Sequence, residues 1–163
     1  MILRSANIDD ATAIAAIFND AILTSMAVWK EQSVSPADRA AWMQARQDLG
    51  HPVLIAEKDG QVLGYASYAQ LSTNEGYRYC VEDSIYVHPD AKGNGVGHAM
   101  LSELIQIARD QGKHSMVSEM DADNEGSKAL HAKLGFTEVG RIPHAGFKHG
   151  EWRDLLILQL RLD

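Results

Sequence analysis

A glycine-rich loop between a predicted strand and a predicted helix constrains this chain more than any other feature. Residues 84–89 form a β-branched and aromatic run that a proline ends, which predicts a strand. Residues 100–112 carry apolar side chains at helical spacing and end at a glycine, which predicts a helix. Gly93, Gly95 and Gly97 lie between them. Because successive glycines let backbone N–H groups point into one concavity at a helix N-terminus, the loop predicts an anion-binding site.

The loop matches neither of two common phosphate-binding patterns. A P-loop requires glycine, four residues, then Gly-Lys followed by Ser or Thr, and the chain contains no such run. A dinucleotide loop requires G-x-G-x-x-G, whereas residues 93–97 read G-x-G-x-G and are followed by His98. On the loop alone, a turn that only joins a strand to a helix remains the alternative to an anion site.

Length, charge and composition exclude several classes of partner and indicate a compartment. The chain has 163 residues and a formal net charge of -7, so we expect one domain over residues 1–163 and no nucleic-acid surface. No apolar run is long enough to span a bilayer, and the first residues lack the pattern of a secretory signal, so we expect no membrane association. The single cysteine, Cys80, fits a reducing compartment, and we predict a cytoplasmic protein.

The order of the predicted elements indicates a mixed α/β sheet. We predict helices that begin after Asn7, at Ser35, after the glycine loop and at Asn124, and strands at residues 2–4, 53–57, 61–68, 79–87, 115–120, 136–142 and 152–160. Most neighbouring strands are joined by short antiparallel connections, but the helix after the glycine loop requires a crossover to a parallel neighbour. We therefore expect six or seven mostly antiparallel strands with helices on both faces.

A second sequence signature makes the interpretation of the glycine loop more specific. Residues 124–136 read Asn, then a predicted helix that contains His131, then Gly-Phe. Together with the loop at residues 92–97, this run resembles the GNAT acyltransferases, whose pyrophosphate loop reads Gln/Arg-x-x-Gly-x-Gly/Ala. Residues 17–21, 64–68, 81–84 and 148–152 look like segments of the phosphinothricin and methionine sulfoximine or sulfone N-acetyltransferases of that superfamily. The resemblance covers nearly the whole chain and implies the GNAT fold.

The resemblance implies acetyl-CoA as the co-substrate. It assigns cofactor binding to the end of the central strand, to the glycine loop, whose first position is a lysine here, and to the second signature. The implied cofactor-binding residues are Ile85, Tyr86, Val87, Lys92, Gly93, Asn94, Gly95, Val96, Gly97, His98, Asn124 and Lys133.

Acetyl transfer to an amine needs a base, because the amine attacks a thioester only when it is neutral. The resemblance places the family's glutamate at Glu82, on the strand that leads to the loop. The alternative is a strand carboxylate that only pairs with Arg78, four residues earlier. His131 stands where the phosphinothricin group has a histidine, and an imidazole can protonate a thiolate or relay a proton near neutral pH. The alternative for His131 is a histidine that is merely packed on its helix.

The resemblance implies a small amino-acid-like amine as the acceptor. Arg78 can hold the acceptor carboxylate by a two-pronged contact. Arg78 ends the segment of residues 70–78, which we call the substrate lip. The chain departs from its close relatives in this lip, where Leu71 and Ser72 replace a tryptophan and an arginine. We therefore predict poor binding of phosphinothricin and methionine sulfone. The implied substrate-binding residues are Trp29, Glu75, Tyr77, Arg78 and Glu82.

Other functions remain open from the sequence. A related acetyltransferase can act on a protein N-terminus or on lysine, and a catalytically inactive relative can serve as an acyl-CoA sensor. The resemblance also implies a homodimer in which one subunit helps to shape the substrate mouth of the other. We expect no metal site, because His144 and His149 have no cysteine or carboxylate partner at ligand spacing.

Overall fold

One seven-stranded sheet runs through the computed structural model, which describes residues 1–163. The strands are β1 (Ile2–Ser5), β2 (Val53–Lys58), β3 (Gln61–Gln70), β4 (Cys80–Val87), β5 (Ser115–Asp121), β6 (Thr137–Lys148) and β7 (Glu151–Arg161). They lie in the order β1-β2-β3-β4-β5-β7-β6, and every neighbouring pair is antiparallel except β4 and β5. The predicted mixed, mostly antiparallel sheet with one parallel crossover is confirmed.

Four helices cover both faces of the sheet, as predicted. They are α1 (Ala11–Thr24), α2 (Pro36–Asp48), α3 (Val96–Asp110) and α4 (Glu125–Lys133). Under α1 and α2, buried side chains that include Ile14, Met43 and Tyr65 form the smaller core. Under α3 and α4, Met100 and Leu156 belong to the larger core. Full burial of such a side chain contributes about 1.5–3 kcal/mol, so both faces stabilise the sheet. None of the helices is both long enough and apolar enough to cross a membrane.

Capping residues fix the start of α2 and the start of the short turn that leads into α1. The Ser35 hydroxyl accepts a hydrogen bond from the Asp38 amide at 3.1 Å, and the Asp38 carboxylate accepts one from the Ser35 amide at 2.8 Å. Asn7 caps a one-turn 3-10 helix (Ile8–Asp10) that leads into α1, instead of α1 itself as predicted. The carboxylate of Asp10 also pairs with Arg4 at 2.8 Å, so the entry to α1 is fastened to β1.

The last hairpin is longer than the sequence predicted. β6 continues to Lys148 instead of ending near residue 142, because β7 pairs along its whole length with two register shifts. β6 is an edge strand, so Pro143 interrupts no pairing with a second neighbour. Gly146 lies against the indole of Trp29, and an added Cβ would stand 2.2 Å from that ring. The missing side chain therefore lets the hairpin pack on the chain segment that contains Trp29.

The central strand begins later than predicted. β4 starts at Cys80, because the preceding residues form a 3-10 turn (Glu75–Tyr77) that Arg78 ends. The Arg78 guanidinium donates to the Glu75 carbonyl at 3.0 Å and stacks on Tyr79, with its central carbon 4.7 Å from the ring centre. Arg78 therefore does not share a strand face with Glu82, and the ion pair that the sequence offered as the alternative role of Glu82 is not formed.

A gap opens between the two parallel strands at the centre of the sheet. β4 pairs with β5 only over residues 80–82 and 115–117, whereas β3 accompanies β4 as far as Val87. On its far side, β5 pairs with β7 along its full length. Residues 83–87 of β4 therefore have no strand neighbour towards β5, and the two strands enclose a wedge in the middle of the sheet.

Candidate active site

A cavity of about 1040 Å³ occupies the wedge between β4 and β5. Its walls come from both strands, the N-terminus of α3, α4, and the end of α1 with the loop that follows it. The structure thus brings most predicted site residues to one space. Those that line it are Glu82, Ile85, Tyr86, Val87, Lys92, Gly93, Gly95, Val96, Gly97, His98, Asn124, His131 and Lys133.

The glycine loop presents free backbone donors to this cavity. Gly93 and Gly95 have left-handed φ values of 78° and 79°, which favour glycine. Gly95 is the N-cap of α3, and its carbonyl accepts the first helical hydrogen bond from the Ala99 amide at 3.0 Å. The amides of residues 96–98 precede that bond and have no partner within the helix. The loop can therefore hold a phosphate, with the helix dipole adding partial positive charge.

Glu82 and Asp83 are consecutive on β4, so their side chains point to opposite faces of the sheet. Glu82 is half-buried and lines the cavity. It shares the α1 side of the sheet with Tyr86, whose ring meets Phe18 of α1 at a centroid distance of 5.1 Å. Burial raises the pKa of Glu82, and the charges of Glu119 and Asp83 raise it further, against the opposing charge of Arg46. The cavity therefore contains a carboxylate that is a stronger base than an exposed glutamate.

His131 is buried on the other face, and both ring nitrogens have partners. Nδ1 lies 2.8 Å from the Ser127 carbonyl oxygen. Nε2 lies 3.1 Å from the Asp83 carboxylate and 3.0 Å from the Ser118 hydroxyl. Burial by itself lowers the pKa of His131, but Asp83 and the Ser127 carbonyl outweigh it and raise the pKa. The imidazole is therefore fixed in orientation and holds its proton more tightly than a free histidine does.

Five of the predicted site residues do not line the cavity of the single chain: Trp29, Glu75, Tyr77, Arg78 and Asn94. Glu75, Tyr77 and Arg78 of the substrate lip are exposed on the turn before β4. Trp29 lies behind the cavity wall, where its indole N–H donates to Asp121 at 3.1 Å. The assignment of these residues to cofactor or acceptor binding stays a prediction.

Sequence reasoning missed an ion pair in the cavity wall. Arg153 donates to both carboxylate oxygens of Asp121, at 2.7 and 2.8 Å. Burial would raise the pKa of Asp121, but hydrogen bonds from Arg153, the Asp123 amide and Trp29 lower it below its ordinary value. The two partners come from β5 and β7, 32 residues apart. The only local signal was an aspartate at the end of an apolar strand, which could not reveal its partner.

A buried lysine fixes the loop that follows α1 in the cavity wall. Lys148 is fully buried, and its ammonium donates to the carbonyls of Ile22, Ser25 and Val28 at 2.6, 2.7 and 2.5 Å. Residues 25–27 line the cavity. Because three carbonyl acceptors match the three donors of an ammonium group, the charge is satisfied without a carboxylate. The end of β6 therefore holds the loop after α1 in place.

Comparison with known sequences places this arrangement in a family. The sequence profile of the Acetyltransferase (GNAT) family matches residues 14–136. An L-methionine sulfoximine/L-methionine sulfone acetyltransferase from Salmonella typhimurium is 45% identical over 163 residues, which cover 100% of this chain and 95% of that protein.

Solved structures share the fold over nearly the whole chain. A ribosomal-protein-alanine N-acetyltransferase from Brucella melitensis is 41% identical with a TM-score of 0.97, covering 99% of each chain. A GNAT superfamily phosphinothricin acetyltransferase from Sinorhizobium meliloti, solved in complex with acetyl-CoA, is 35% identical with a TM-score of 0.95, covering 98% of this chain and 87% of that one. The predicted GNAT fold and co-substrate are confirmed. The chain therefore belongs to the acetyltransferase (GNAT) family and is an acetyltransferase that uses acetyl-CoA as its co-substrate.

Proposed function

We propose that this enzyme transfers the acetyl group of acetyl-CoA to the amine of a small amino-acid-like acceptor of the methionine sulfoximine, methionine sulfone or phosphinothricin type. The chain matches, over its full length, a relative that is named for two of these compounds. The observation that carries the proposal is the presence of Glu82 in the same cavity as the glycine loop, because one space then offers both a base and an anion-binding loop.

Glu82 serves as the general base in this proposal. It accepts the amine proton, directly or through one water molecule, so that the neutral nitrogen attacks the thioester carbonyl. The new C–N bond replaces the C–S bond, and CoA leaves as a thiolate. The raised pKa of Glu82 supports this role, because a stronger base takes the ammonium proton more readily.

His131 serves as the acid that protonates the leaving thiolate. The imidazole lines the same cavity from the opposite face of β4, so acid and base do not compete for one position. Its raised pKa supports the role, because a larger fraction of the residue then carries a proton near neutral pH.

The acceptor carboxylate is assigned to Arg78, and Trp29, Glu75 and Tyr77 are assigned to the rest of the acceptor site. In the single chain the lip is exposed and lies outside the cavity. A homodimer in which the lip of one subunit reaches the mouth of the other accounts for that placement. The β6–β7 hairpin supplies an apolar surface for such pairing, formed by Val139, Ile142, Phe147 and Trp152, which are 49–61% exposed. Sedimentation at assay concentration tests the dimer, and a mass equal to one chain contradicts it.

One solved structure favours a second candidate function. The relative from Brucella melitensis is described as a ribosomal-protein-alanine N-acetyltransferase, so a protein N-terminus is the alternative acceptor. Both acceptors present a primary amine on an α-carbon that is bonded to a carbonyl carbon. They differ in the free carboxylate, which an amino acid has and a peptide N-terminus lacks.

Release of free CoA thiol separates these functions. The acceptor panel contains methionine sulfone, methionine sulfoximine, phosphinothricin, the common L-amino acids, a peptide with N-terminal alanine, a polyamine and an arylamine. We expect release with free α-amino acids and poor saturation by phosphinothricin and methionine sulfone. Release with the peptide alone supports the second candidate, and release with the polyamine or arylamine alone contradicts the carboxylate contact. A further outcome is a protein that binds acetyl-CoA in a thermal-shift assay and yet releases no CoA thiol with any acceptor. That result supports the acyl-CoA sensor.

A further inference from the structure

The side chains of Asp83 and His131 meet in the interior between β4 and α4, 48 residues apart in the sequence. Asp83 is 7% exposed and His131 is 2% exposed. One carboxylate oxygen, Oδ2, lies 3.1 Å from Nε2 of the imidazole. The other, Oδ1, is buried without any hydrogen-bond partner. A buried carboxylate that has one partner interacts strongly with it, because little water is present to screen the charge.

The partners of the ring determine where its protons lie. A backbone carbonyl only accepts hydrogen bonds, so the 2.8 Å contact with Ser127 requires a proton on Nδ1. An ionised carboxylate likewise only accepts, so an ionised Asp83 requires a proton on Nε2. With both nitrogens protonated, His131 is an imidazolium. Nε2 also lies 3.0 Å from the Ser118 hydroxyl, which can accept a proton and donate one.

Asp83 is the charged group that touches this ring. Phe136 packs edge-on at a centroid distance of 4.9 Å, and Ser118 and Ser127 are neutral. The remaining titratable groups on the packed elements make no hydrogen bond to the ring. They are Cys80, Glu82 and Tyr86 on β4, Glu119 and Asp121 on β5, His98, Glu103, Arg109 and Asp110 on α3, and Glu125, Lys128 and Lys133 on α4.

We propose that Asp83 is a positioning residue that keeps His131 as an imidazolium, and that the Ser118 hydroxyl carries the His131 proton into the cavity. This inference rests on the proposed acid role of His131. As the N–H bond at Nε2 breaks, Ser118 Oγ takes that proton and gives its own to the thiolate sulfur, where an S–H bond forms. His131 ends neutral and the thiol ends protonated, so the step needs no further reactant.

The same three residues do not form a nucleophilic serine triad. In such a triad the carboxylate holds one imidazole nitrogen while the serine meets the other. Here Asp83 and Ser118 share Nε2, and Nδ1 is occupied by the Ser127 carbonyl. The imidazole therefore has no free nitrogen with which to remove a proton from Ser118, and the arrangement favours proton donation.

The first test measures the titration of His131 by NMR and does not depend on catalysis. The ring signals are assigned by their absence in His131→Gln. We expect wild-type His131 to remain charged above the pH at which an exposed histidine titrates, and Asp83→Asn to lower its pKa by about one to three pH units. Asp83→Glu, which keeps the charge, should retain part of the raised pKa. An unchanged His131 pKa in folded Asp83→Asn overturns the proposal.

Glu119→Gln is the matched control for this measurement. It removes a carboxylate that lines the same cavity but makes no contact with the ring. We expect the His131 pKa to change much less in Glu119→Gln than in Asp83→Asn. Equal changes in the two variants would assign the raised pKa to the general charge of the cavity and overturn the role of Asp83.

The second test examines the relay once an acceptor is known. Ser118→Ala should lower kcat about tenfold or more, with the KM values for both substrates little changed, because proton transfer and not binding is affected. Wild-type kcat should fall as the pH rises through the His131 pKa, and Asp83→Asn should move that fall to lower pH. Full kcat in Ser118→Ala overturns the relay. Absence of thiol release with every acceptor removes the proposed function but leaves the NMR result for Asp83 valid.

Discussion

The glycine loop and the substrate lip stand at opposite ends of β4, and they differ in how they can recognise a ligand. The loop offers backbone amides at the start of α3, and its glycines line the cavity of the same chain. The lip offers side chains on an exposed 3-10 turn, and none of its predicted residues reaches that cavity. An anion-binding loop of this kind is a local property of the backbone, because consecutive residues supply all of its donors. In the proposed function, recognition of the acceptor depends instead on side chains of an exposed turn, which a homodimer would bring to the cavity of its partner.

Replacement of Glu82, which lies between the two regions, should give the largest effect. Glu82→Gln preserves size and hydrogen bonding but cannot accept a proton. We expect turnover to fall about 10²-fold or more, with acetyl-CoA affinity little changed. Higher pH should restore part of the activity, because more of the acceptor amine is then already neutral. Wild-type turnover in the variant would move the base elsewhere, with His131 as the next candidate.

The glycine loop is tested by Gly95→Val. The left-handed φ of Gly95 disfavours a β-branched residue, and the new side chain would occupy the approach of the pyrophosphate. We expect acetyl-CoA affinity to fall about tenfold or more, since each charge-assisted hydrogen bond contributes about 1.5–3 kcal/mol. Isothermal titration measures this affinity.

Gly60→Val is the matched control for the loop. Gly60 has a φ of 78°, against 79° for Gly95, and the same open surroundings, but it lies in the hairpin turn between β2 and β3. Both variants should lose similar stability, and only Gly95→Val should lose affinity. Unchanged affinity in folded Gly95→Val would remove the loop from cofactor binding.

Arg78→Gln tests whether the lip contacts an acceptor carboxylate. Loss of one charge-assisted contact should raise the KM for a free amino acid about ten- to a hundredfold and leave the KM for acetyl-CoA unchanged. Arg161→Gln, at an exposed arginine at the end of β7, is the control for loss of surface charge. If the two variants have the same acceptor KM, the carboxylate contact belongs to another residue.

An added cationic side chain and an added aromatic side chain should strengthen acceptor binding at the lip. Leu71→Trp with Ser72→Arg introduces the two side chains that close relatives carry, and we expect the KM for phosphinothricin and methionine sulfone to fall about tenfold. Steady-state kinetics on both compounds measure the change. Tight saturation by the wild-type enzyme would show instead that the present lip already binds these acceptors well.

The smallest expected effect is on the pH profile. Burial raises the pKa of Glu82, and the nearby charge of Glu119 raises it further. Because the proposed base must be deprotonated to act, activity should rise as the pH increases through that pKa. Glu119→Gln should move this rise to lower pH, as measured by kcat/KM against pH. A shift in the opposite direction would contradict the proposed interaction between the two carboxylates.

Local patterns predicted most of the strands and helices and the glycine loop that joins two of them. The strand, glycine loop and helix at residues 84–112 are consecutive, so spacing and capping alone indicated that they form one unit. The same applies to the hairpin at Gly60 and to the cap at Ser35, where the interacting atoms are close in sequence. The sequence could not predict the full length of β6, because pairing with β7 carries it past a proline that local propensity treats as a stop.

Tertiary structure alone decided which polar groups share the cavity. Asp83 and His131 are 48 residues apart, and Arg153 and Asp121 are 32 apart, so neither pair leaves a local signal. The alternation of side chains along β4 sends Glu82 and Asp83 to opposite faces, but only the gap between β4 and β5 opens both faces to one space. Spacing within the chain therefore determined the elements and the glycine loop between β4 and α3. Contacts between distant segments determined the protonation of the site, because pKa values depend on burial and on neighbouring charges that only the folded chain brings together.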